Sequence, residues 1–306
     1  MIKIIDPHLH LFNLNQGDYH WLNKDNPPFW PDKSTIQQSF TEKDLALNLP
    51  LSLAGFVHVE AGFDNQQPER ELDYLAQSCH LPFVAIASID LTLDSLPFTQ
   101  QLCRLLRRDT FCGVRHILTD QASVLLNCPQ VLKNIRQLNN YTELDLTTTN
   151  TPNLIVEIQL PLEDNLAVKA LCHVVQNNQN ISFIINHGGF PTKETLASVR
   201  DNWQENLIQL SQLSNIAIKC SGWEMIDRQY CQDINWLNHS LASCFDAFGK
   251  HRMMLASNFP LCLFTHTCYQ DYWQFILATD FFKTKTLQEK NALCYHSALH
   301  YYHLNV

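Results

Sequence analysis

Residues 2–12 read IKIIDPHLHLF, a short apolar strand that leads directly into two histidines one residue apart. Because successive side chains of a strand point to opposite faces, His8 and His10 face the same side, roughly 7 Å apart at the backbone. Asp6 shares that side, whereas Ile5 and Leu9 face the other. A strand that carries polar groups at its C-terminal end is typical of β/α proteins with a pocket at that edge of the sheet.

Short apolar, β-branched runs recur along the whole chain, and segments with helical patterning separate them. The predicted strands are residues 2–8, 53–60, 83–90, 113–118, 154–160, 182–187, 216–221 and 253–258. The predicted helices lie near 66–80, 97–108, 129–139, 163–178, 193–213, 234–249, 269–279 and 284–302. Strands that alternate with helices form parallel βαβ units, so eight such units predict an α/β fold, a closed (β/α)8 TIM barrel.

The length of the chain fits one such barrel. A barrel of this type needs about 250 residues, and the chain has 306. The sequence has no internal repeat or linker, and no glycine-rich phosphate loop follows the first strand. We therefore predict one domain over residues 1–306. Residues 11–41 are long for a βα loop, and we expect them to fold over the barrel mouth as part of a pocket wall.

Composition argues for a small-molecule partner. The net charge of −9 and the lack of a basic stripe argue against nucleic acid. No apolar run reaches the roughly 18 residues of a membrane span, and the N-terminus does not resemble a signal peptide. The eleven cysteines form no CxxC pair, which favours reduced thiols in the cytoplasm. The oligomeric state stays open.

Polar side chains recur near the C-terminal ends of seven of the predicted strands. They are His8 and His10, His58 and Glu60, Arg115, Glu157 and Gln159, His187, Lys219 and Ser221, and Asn258. A buried charge on a strand is unfavourable unless it is paired, so stability alone does not account for this pattern. The strands therefore predict a polar pocket at one end of the barrel.

Three histidines of this set are candidate metal ligands. His8 and His10 share one face of their strand, and His187 would supply a third nitrogen from the sixth strand. Three protein ligands and an open position are typical of catalytic zinc, which lowers the pKa of bound water. The alternative is that these histidines are merely hydrogen-bonded, so the predicted cofactor is one divalent metal, zinc first, or none.

Proton transfer and substrate binding have several candidates among the remaining residues. His58 and Glu60 are candidates for proton transfer. Arg115 suits a substrate carboxylate or carbonyl because its planar fork binds oxygen pairs, and its alternative is an ion pair with Glu60 or Glu157. Lys219 has the same two interpretations.

Weaker candidates for substrate contact lie on the fifth strand and in the first loop. Gln159 is expected either to bind substrate or to fill the barrel. Tyr19 and Trp21, with His20 and Trp30, form either a wall for a ring-shaped ligand or an anchor for their own loop.

The ordered motifs resemble the amidohydrolase-2 (amidohydrolase-related) family of TIM-barrel metal-dependent hydrolases, in its lactonase-like branch. They are DPHLHLF from residue 6, YHWL from 19, HVEA from 58, GVRH from 113, NHGG from 186, IKCSG from 218 and MLASNFP from 254. The resemblance implies lactone hydrolysis in many members, on sugar lactones or muconolactone and pyrone rings, and decarboxylation in distant ones. It implies His8, His10 and His187 as ligands in metal-using members, metal-free catalysis in some lactonases, and Arg115 as a substrate anchor.

One position departs from the family pattern. The usual last-strand motif is Ser-Asp-x-Pro, but here Asn258 replaces the aspartate that binds metal or accepts a proton from water. An amide is not a carboxylate base near neutral pH. We therefore predict a lactone or cyclic-ester hydrolase whose catalytic residues are His187, Asn258, Glu60 and His58. The alternatives are a weak or silent small-molecule-binding barrel and a decarboxylase.

Overall fold

Eight parallel strands lie side by side in chain order. The computed structural model describes residues 1–141, 153–193 and 197–306. The strands are β1 (Ile2–Leu9), β2 (Leu51–Val59), β3 (Phe83–Ser88), β4 (Phe111–Ile117), β5 (Leu154–Gln159), β6 (Ile181–Ile185), β7 (Ile216–Cys220) and β8 (Met253–Leu255). All eight predicted strands are present, with bounds shifted by a few residues.

The sheet closes where the last strand meets the first. The N–H of His10 donates to the carbonyl of Phe259 at 2.6 Å, and the N–H of Asn258 donates to the carbonyl of His8 at 2.9 Å. The predicted (β/α)8 TIM barrel is confirmed. β8 ends before Asn258 because this residue has a φ of 57°, which is incompatible with an extended strand.

Helices connect the strands as predicted. The longer ones are α1 (Glu69–Ser78), α2 (Ser95–Leu105), α4 (Pro129–Asn139), α5 (Asn165–Gln176), α6 (Ala197–Ser211), α8 (Ile234–Phe248) and α9 (Tyr269–Leu277). The short ones are α3 (Ala122–Leu125), α7 (Trp223–Ile226), α10 (Asp280–Lys283), α11 (Leu287–Asn291) and α12 (Ser297–Tyr302). The predicted last helix is interrupted by a π-helical turn at Ala292–His296. Positions 194–196 of the helix predicted near 193–213 lie outside the described residues.

Two apolar clusters fill the fold on either side of the strands. The larger one joins the outer strand faces to the helices. The smaller one takes residues from seven strands together with Ala298, Tyr302 and Leu304 of the C-terminal segment. Residues from strands all around a ring meet only inside it, so the smaller cluster is the barrel interior. On β2 this interior set includes Val57 and Val59, which directs His58 outward.

Candidate active site

A cleft of about 450 Å³ opens where the strands end. Six polar residues that line it lie near the C-terminal end of a strand or just after it: His10, Glu60, Arg115, Gln159, His187 and Asn258. The opposite wall is mostly apolar and includes Trp21, Pro28, Trp30, Ile117, Met225 and Leu261. The C-terminal edge of the barrel therefore carries a polar floor beneath an apolar wall.

Part of this wall comes from the first loop, as the sequence predicted. The indole of Trp21 donates to the carbonyl of Ala61 at 2.7 Å, which fixes the ring over the cleft. The buried ammonium of Lys33 donates to three loop carbonyls at 2.7, 3.0 and 2.7 Å. Arg228 holds Asp32 through two hydrogen bonds of 2.7 and 3.1 Å. These contacts hold the wall in one position.

The three candidate ligand histidines lie together: His10 and His187 line the cleft, and His8 is fully buried beside them. Ring centroids of His8 and His10 are 5.1 Å apart, and those of His8 and His187 are 4.7 Å apart. Burial holds the pKa of all three imidazoles well below its usual range, and the nearby cations Lys219 and Arg115 act in the same direction. The rings are therefore neutral near pH 7, which is the form that binds a metal.

The ring nitrogens differ in their hydrogen bonds. Nδ1 of His10 lies 2.7 Å from the carbonyl of Val59, and Nδ1 of His187 lies 3.0 Å from the hydroxyl of Ser221. Both nitrogens of His8 are buried and have no hydrogen-bond partner among the described residues. Neutral imidazoles with one nitrogen held and another free match the donor chemistry of zinc. Within the described ranges, however, no three His, Cys, Asp or Glu side chains form a ready-made metal cluster.

Arg115 has the ion-pair partner that the sequence left open. Its Nε donates to Oε1 of Glu60 at 2.8 Å, Nη2 donates to the Glu60 carbonyl at 3.0 Å, and Nη1 donates to Oε1 of Gln159 at 3.3 Å. Burial raises the pKa of Glu60, and the charge of Arg115 opposes that shift. Since all three residues line the cleft, they form a rigid polar patch on its floor. A carboxylate already engaged by Arg115 is poorly suited to be the general base.

Lys219 lies away from the cleft, in contrast to the predicted substrate contact. Its fully buried ammonium pairs with Oε1 of Glu157, which also accepts a hydrogen bond from the hydroxyl of Tyr302 at 2.7 Å. Burial lowers the pKa of Lys219 to about 8, and Glu157 opposes that shift. This pair sits beneath His8, whose Nδ1 is 3.7 Å from the second oxygen of Glu157. Lys219 therefore supports the site from below.

Two more predicted site residues also face away from the cleft. Nε2 of His58 is 3.0 Å from Oε1 of Glu71 on α1, because β2 directs this side chain outward. Its Nδ1 accepts the N–H of Leu11 at 3.2 Å. The hydroxyl of Tyr19 accepts the N–H of Asn13 at 2.8 Å. Both residues anchor the first loop, and neither lines the cleft.

Asn258 is joined to a residue that the sequence did not single out. Its amide nitrogen donates to Oε1 of Glu224 at 2.6 Å and lies 3.5 Å from Sδ of Met225. Glu224 is fully buried, and burial raises its pKa to about 7. The available signal was an acidic residue in an apolar context, four positions after the end of β7.

Gly222 permits the close approach of β7 to His187. Its φ is 69°, and a Cβ at this position would lie 2.4 Å from Nδ1 of His187. His187 itself has a φ of 55°. Left-handed backbone at a residue other than glycine is strained and is concentrated at functional sites.

A family model described as amidohydrolase matches residues 5–304. The chain belongs to the amidohydrolase family. The match spans nearly the whole of this amidohydrolase and includes every residue that lines the cleft. The resemblance to the amidohydrolase-2 family, drawn from the ordered motifs, is thereby confirmed.

The individual proteins to which this chain is similar share little of its sequence. This amidohydrolase is 27% identical over 272 residues to "Uncharacterized protein y4mH" of Sinorhizobium fredii (strain NBRC 101917 / NGR234), with 85% of this chain and 86% of that protein covered. Its fold is similar to that of an amidohydrolase from Burkholderia multivorans with bound zinc, at a TM-score of 0.77 and 19% identity, covering 98% and 99% of the two chains.

Two other solved structures share the fold at lower similarity. One is a putative 2-pyrone-4,6-dicarboxylic acid hydrolase from Pseudomonas putida, with a TM-score of 0.66, 15% identity and coverage of 100% and 99%. The other is a 2,6-dihydroxybenzoate decarboxylase from Rhizobium, with a TM-score of 0.59, 12% identity and 99% coverage of both chains. Because the sequence identities are this low, the two comparisons show a shared fold and nothing about activity. Across the described part of this amidohydrolase, no helix is both long and apolar enough to span a bilayer.

Proposed function

We propose that this amidohydrolase hydrolyses the ester bond of a small lactone or cyclic ester in the cytoplasm. The observation that carries the proposal is one cleft in which His10, His187 and Asn258 meet the guanidinium of Arg115. The first three bring neutral nitrogen and amide groups to a water molecule. The guanidinium uses three of its five N–H groups for Glu60 and Gln159, which leaves two for a carbonyl or carboxylate oxygen.

The cleft walls favour a flat ring over a polyhydroxylated sugar. Trp21, Trp30, Ile117 and Leu261 give few partners for hydroxyl groups. Nη2 of Arg115 lies 2.7 Å from Oε1 of Glu60, which largely balances the charge of the guanidinium. The cleft floor therefore suits a substrate with a single anionic or carbonyl group at this position. A pyrone or muconolactone-type ring therefore fits the cleft better than a sugar lactone does.

The proposed reaction needs only water and the ring. The water oxygen bonds to the carbonyl carbon, the bond between that carbon and the ring oxygen breaks, and one water proton moves to the ring oxygen. Arg115 and Gln159 orient the carbonyl, while the apolar wall excludes bulk water. Nε2 of His10 is the free nitrogen that faces this water, because Nδ1 is held by the carbonyl of Val59.

A divalent cation, zinc first, fits the same floor. His8, His10 and His187 would hold it, and when bound it would lower the pKa of water so that hydroxide forms near neutrality. The unpartnered nitrogens of His8 support this assignment. Without the cation, Nε2 of His10 is the group that would accept the proton.

The test is turnover of a panel of pyrone, muconolactone-type and sugar lactones. Purified protein is assayed after chelation and after addition of zinc, with proton release as the readout. We expect hydrolysis of at least one unsaturated ring lactone, and a loss of roughly 100-fold or more in His187→Ala. The exposed His173→Ala is the control. If no lactone opens with or without zinc, the proposal is wrong.

A decarboxylase is the second candidate, supported by the fold shared with the Rhizobium decarboxylase. It is separated from a hydrolase by measuring carbon dioxide release from aromatic carboxylates in the same preparations. A silent binding barrel predicts ligand-induced stabilisation with neither product.

A further inference from the structure

We propose that Glu224 is a positioning residue that turns Asn258 so that its carbonyl oxygen, and not its NH2 group, faces the reacting water. The inference rests on the proposed hydrolysis. It assigns a role to a buried carboxylate that lies behind the cleft wall and does not itself line it.

The orientation of the Asn258 amide follows from its neighbours. An ionised carboxylate only accepts hydrogen bonds, so when Glu224 is ionised the atom 2.6 Å from its Oε1 is the amide nitrogen of Asn258. The second acceptor near that nitrogen is Sδ of Met225 at 3.5 Å. Oδ1 of Asn258 is buried and has no hydrogen-bond partner among the described residues. Asn258 lines the cleft although its side chain is buried from bulk solvent, so the unmet acceptor is Oδ1, and a single water enclosed at the cleft floor would be its missing partner.

Glu224 is held in place for this contact. It lies in the short helix α7, directly after the glycine that permits the approach to His187. Arg228 donates one hydrogen bond to the Glu224 carbonyl and uses its other donors for Asp32. Oε2 of Glu224 has no hydrogen-bond partner in the described structure. A buried carboxylate without a cation bonded to its oxygens is unfavourable for stability, which argues for a functional role.

The pair therefore combines one carboxyl group with one amide group. When Glu224 is ionised, the negative charge lies on residue 224 and the neutral acceptor lies on residue 258. Asn258→Asp alone places two buried carboxylates in contact, which raises the pKa of one of them. Adding Glu224→Gln restores one acid and one amide, with the acid now at the cleft.

The experiment compares Glu224→Gln, Asn258→Asp and the double variant, with the exposed Glu205→Gln as a matched control. Melting temperature is measured between pH 5 and 8, and kcat and KM are measured on the best lactone. We expect Asn258→Asp to lower the melting temperature by roughly 10 °C at pH 8 and by less at pH 5. The double variant should regain most of that loss at pH 8.

The kinetics separate positioning from stability. A glutamine at 224 can both donate and accept, so either the oxygen or the NH2 group of Asn258 could then point to the cleft. Glu224→Gln is therefore expected to lower kcat about tenfold while KM stays within twofold. The double variant should exceed Asn258→Asp in kcat, with a pH profile that acquires an acidic limb.

The results distinguish the positioning role of Glu224 from the proposed hydrolase function. Additive melting shifts, or a kcat of Glu224→Gln equal to that of the Glu205→Gln control, overturn the positioning role. Coupled melting shifts without hydrolysis by any variant overturn the proposed function instead and leave the carboxylate–amide contact standing.

Discussion

Nδ1 of His10 donates a hydrogen bond to the carbonyl of Val59 at 2.7 Å, and this contact decides which ring nitrogen faces the cleft. A carbonyl only accepts hydrogen bonds, so Nδ1 carries the proton and Nε2 keeps its lone pair. Burial lowers the pKa of His10, which keeps the ring neutral. The free nitrogen therefore has two uses, as a metal ligand or as a proton acceptor.

Zinc binding separates these two uses. We expect one zinc ion per chain, with affinity falling by at least about 100-fold in His8→Ala, because loss of an outer partner alone costs 10- to 100-fold. The measurement is isothermal titration with elemental analysis, and His173→Ala on the exposed face of α5 is the control. Equal zinc content in His8→Ala and the control would mean that His8 is not a ligand. Failure of the unaltered protein to bind zinc would assign His10 to proton transfer without a metal.

Arg115→Lys tests the substrate anchor. Lysine keeps the charge but loses the fork that joins Glu60 and Gln159, so we expect KM to rise by about 10- to 100-fold with a smaller change in kcat. The exposed Arg107→Lys provides the control. A KM within twofold of the unaltered protein would mean that the guanidinium only closes the ion pair with Glu60.

The fold was predictable because its signal is local and repeated. Apolar runs of strand length alternated with helical segments eight times, and the first and last strands were found with errors of only a few residues. The interrupted helix at the C-terminus was not predictable, since the π-helical turn at Ala292–His296 depends on packing against β1 and β8.

The polar floor of the site was predictable where a side chain lies near a strand end, and the aromatic wall was predictable from the long first loop, which supplies Trp21 and Trp30. His10, Arg115, Gln159 and His187 reach the cleft as their positions indicated. His58 does not, because the register of β2 directs it outward to Glu71, and alternation alone does not say which parity faces inward.

Lys219 and Glu224 show the second limit of the sequence. Lys219 is on the interior parity as predicted, but it lies a layer below the cleft, and depth along the barrel is set by the tilt of the strands. Glu224 lies in the short helix α7. The position of this helix depends on the hydrogen bond with Asn258, which is 34 residues away, and on the one that Arg228 donates to the Glu224 carbonyl.

Gly222→Ala should remove activity through His187. The added methyl group would lie 2.4 Å from Nδ1 of His187, so the imidazole must move. Gly249→Ala is the control for backbone strain, because Gly249 also has a positive φ of 68° but no atom within 4 Å of the added methyl. Its ψ of 172° makes alanine there at least as strained as at Gly222, where ψ is 22°. Both variants should lose about 1 kcal/mol or more of unfolding free energy from backbone strain. Only Gly222→Ala should lose most of its kcat, and equal activity in the two variants would contradict this.

Lys219→Met tests whether this lysine supports the site or binds substrate. Removing the ammonium leaves Glu157 as an uncompensated buried charge, which is expected to cost about 3–5 kcal/mol of unfolding free energy. The double variant Lys219→Met/Glu157→Gln should regain most of that loss, with Tyr302 still able to donate to residue 157. Chemical denaturation measures both. Unchanged stability with a large rise in KM would instead support the substrate contact expected from the sequence.

The carboxyl group of Glu224 should make stability depend on pH. Burial raises its pKa from 4.5 to about 7, so the folded protein binds this proton more tightly than the unfolded chain does. Its contribution is full below about pH 4.5 and is lost as pH rises to about 7, for a total on the order of 3 kcal/mol. The difference in unfolding free energy between the unaltered protein and Glu224→Gln, measured in urea from pH 4.5 to 8, should fall across that window.

The other titratable groups near Glu224 do not contribute to this difference between pH 4.5 and 8. Burial raises the pKa of Tyr230, Cys262 and Tyr272 well above their usual ranges, so none of these three groups titrates below pH 8. The buried Asp6, whose pKa is raised to about 6, and the three cleft histidines change equally in both proteins and cancel in the difference. A difference that stays flat from pH 4.5 to 8 would mean that Glu224 titrates near its ordinary pKa, which requires water or a cation beside its second oxygen.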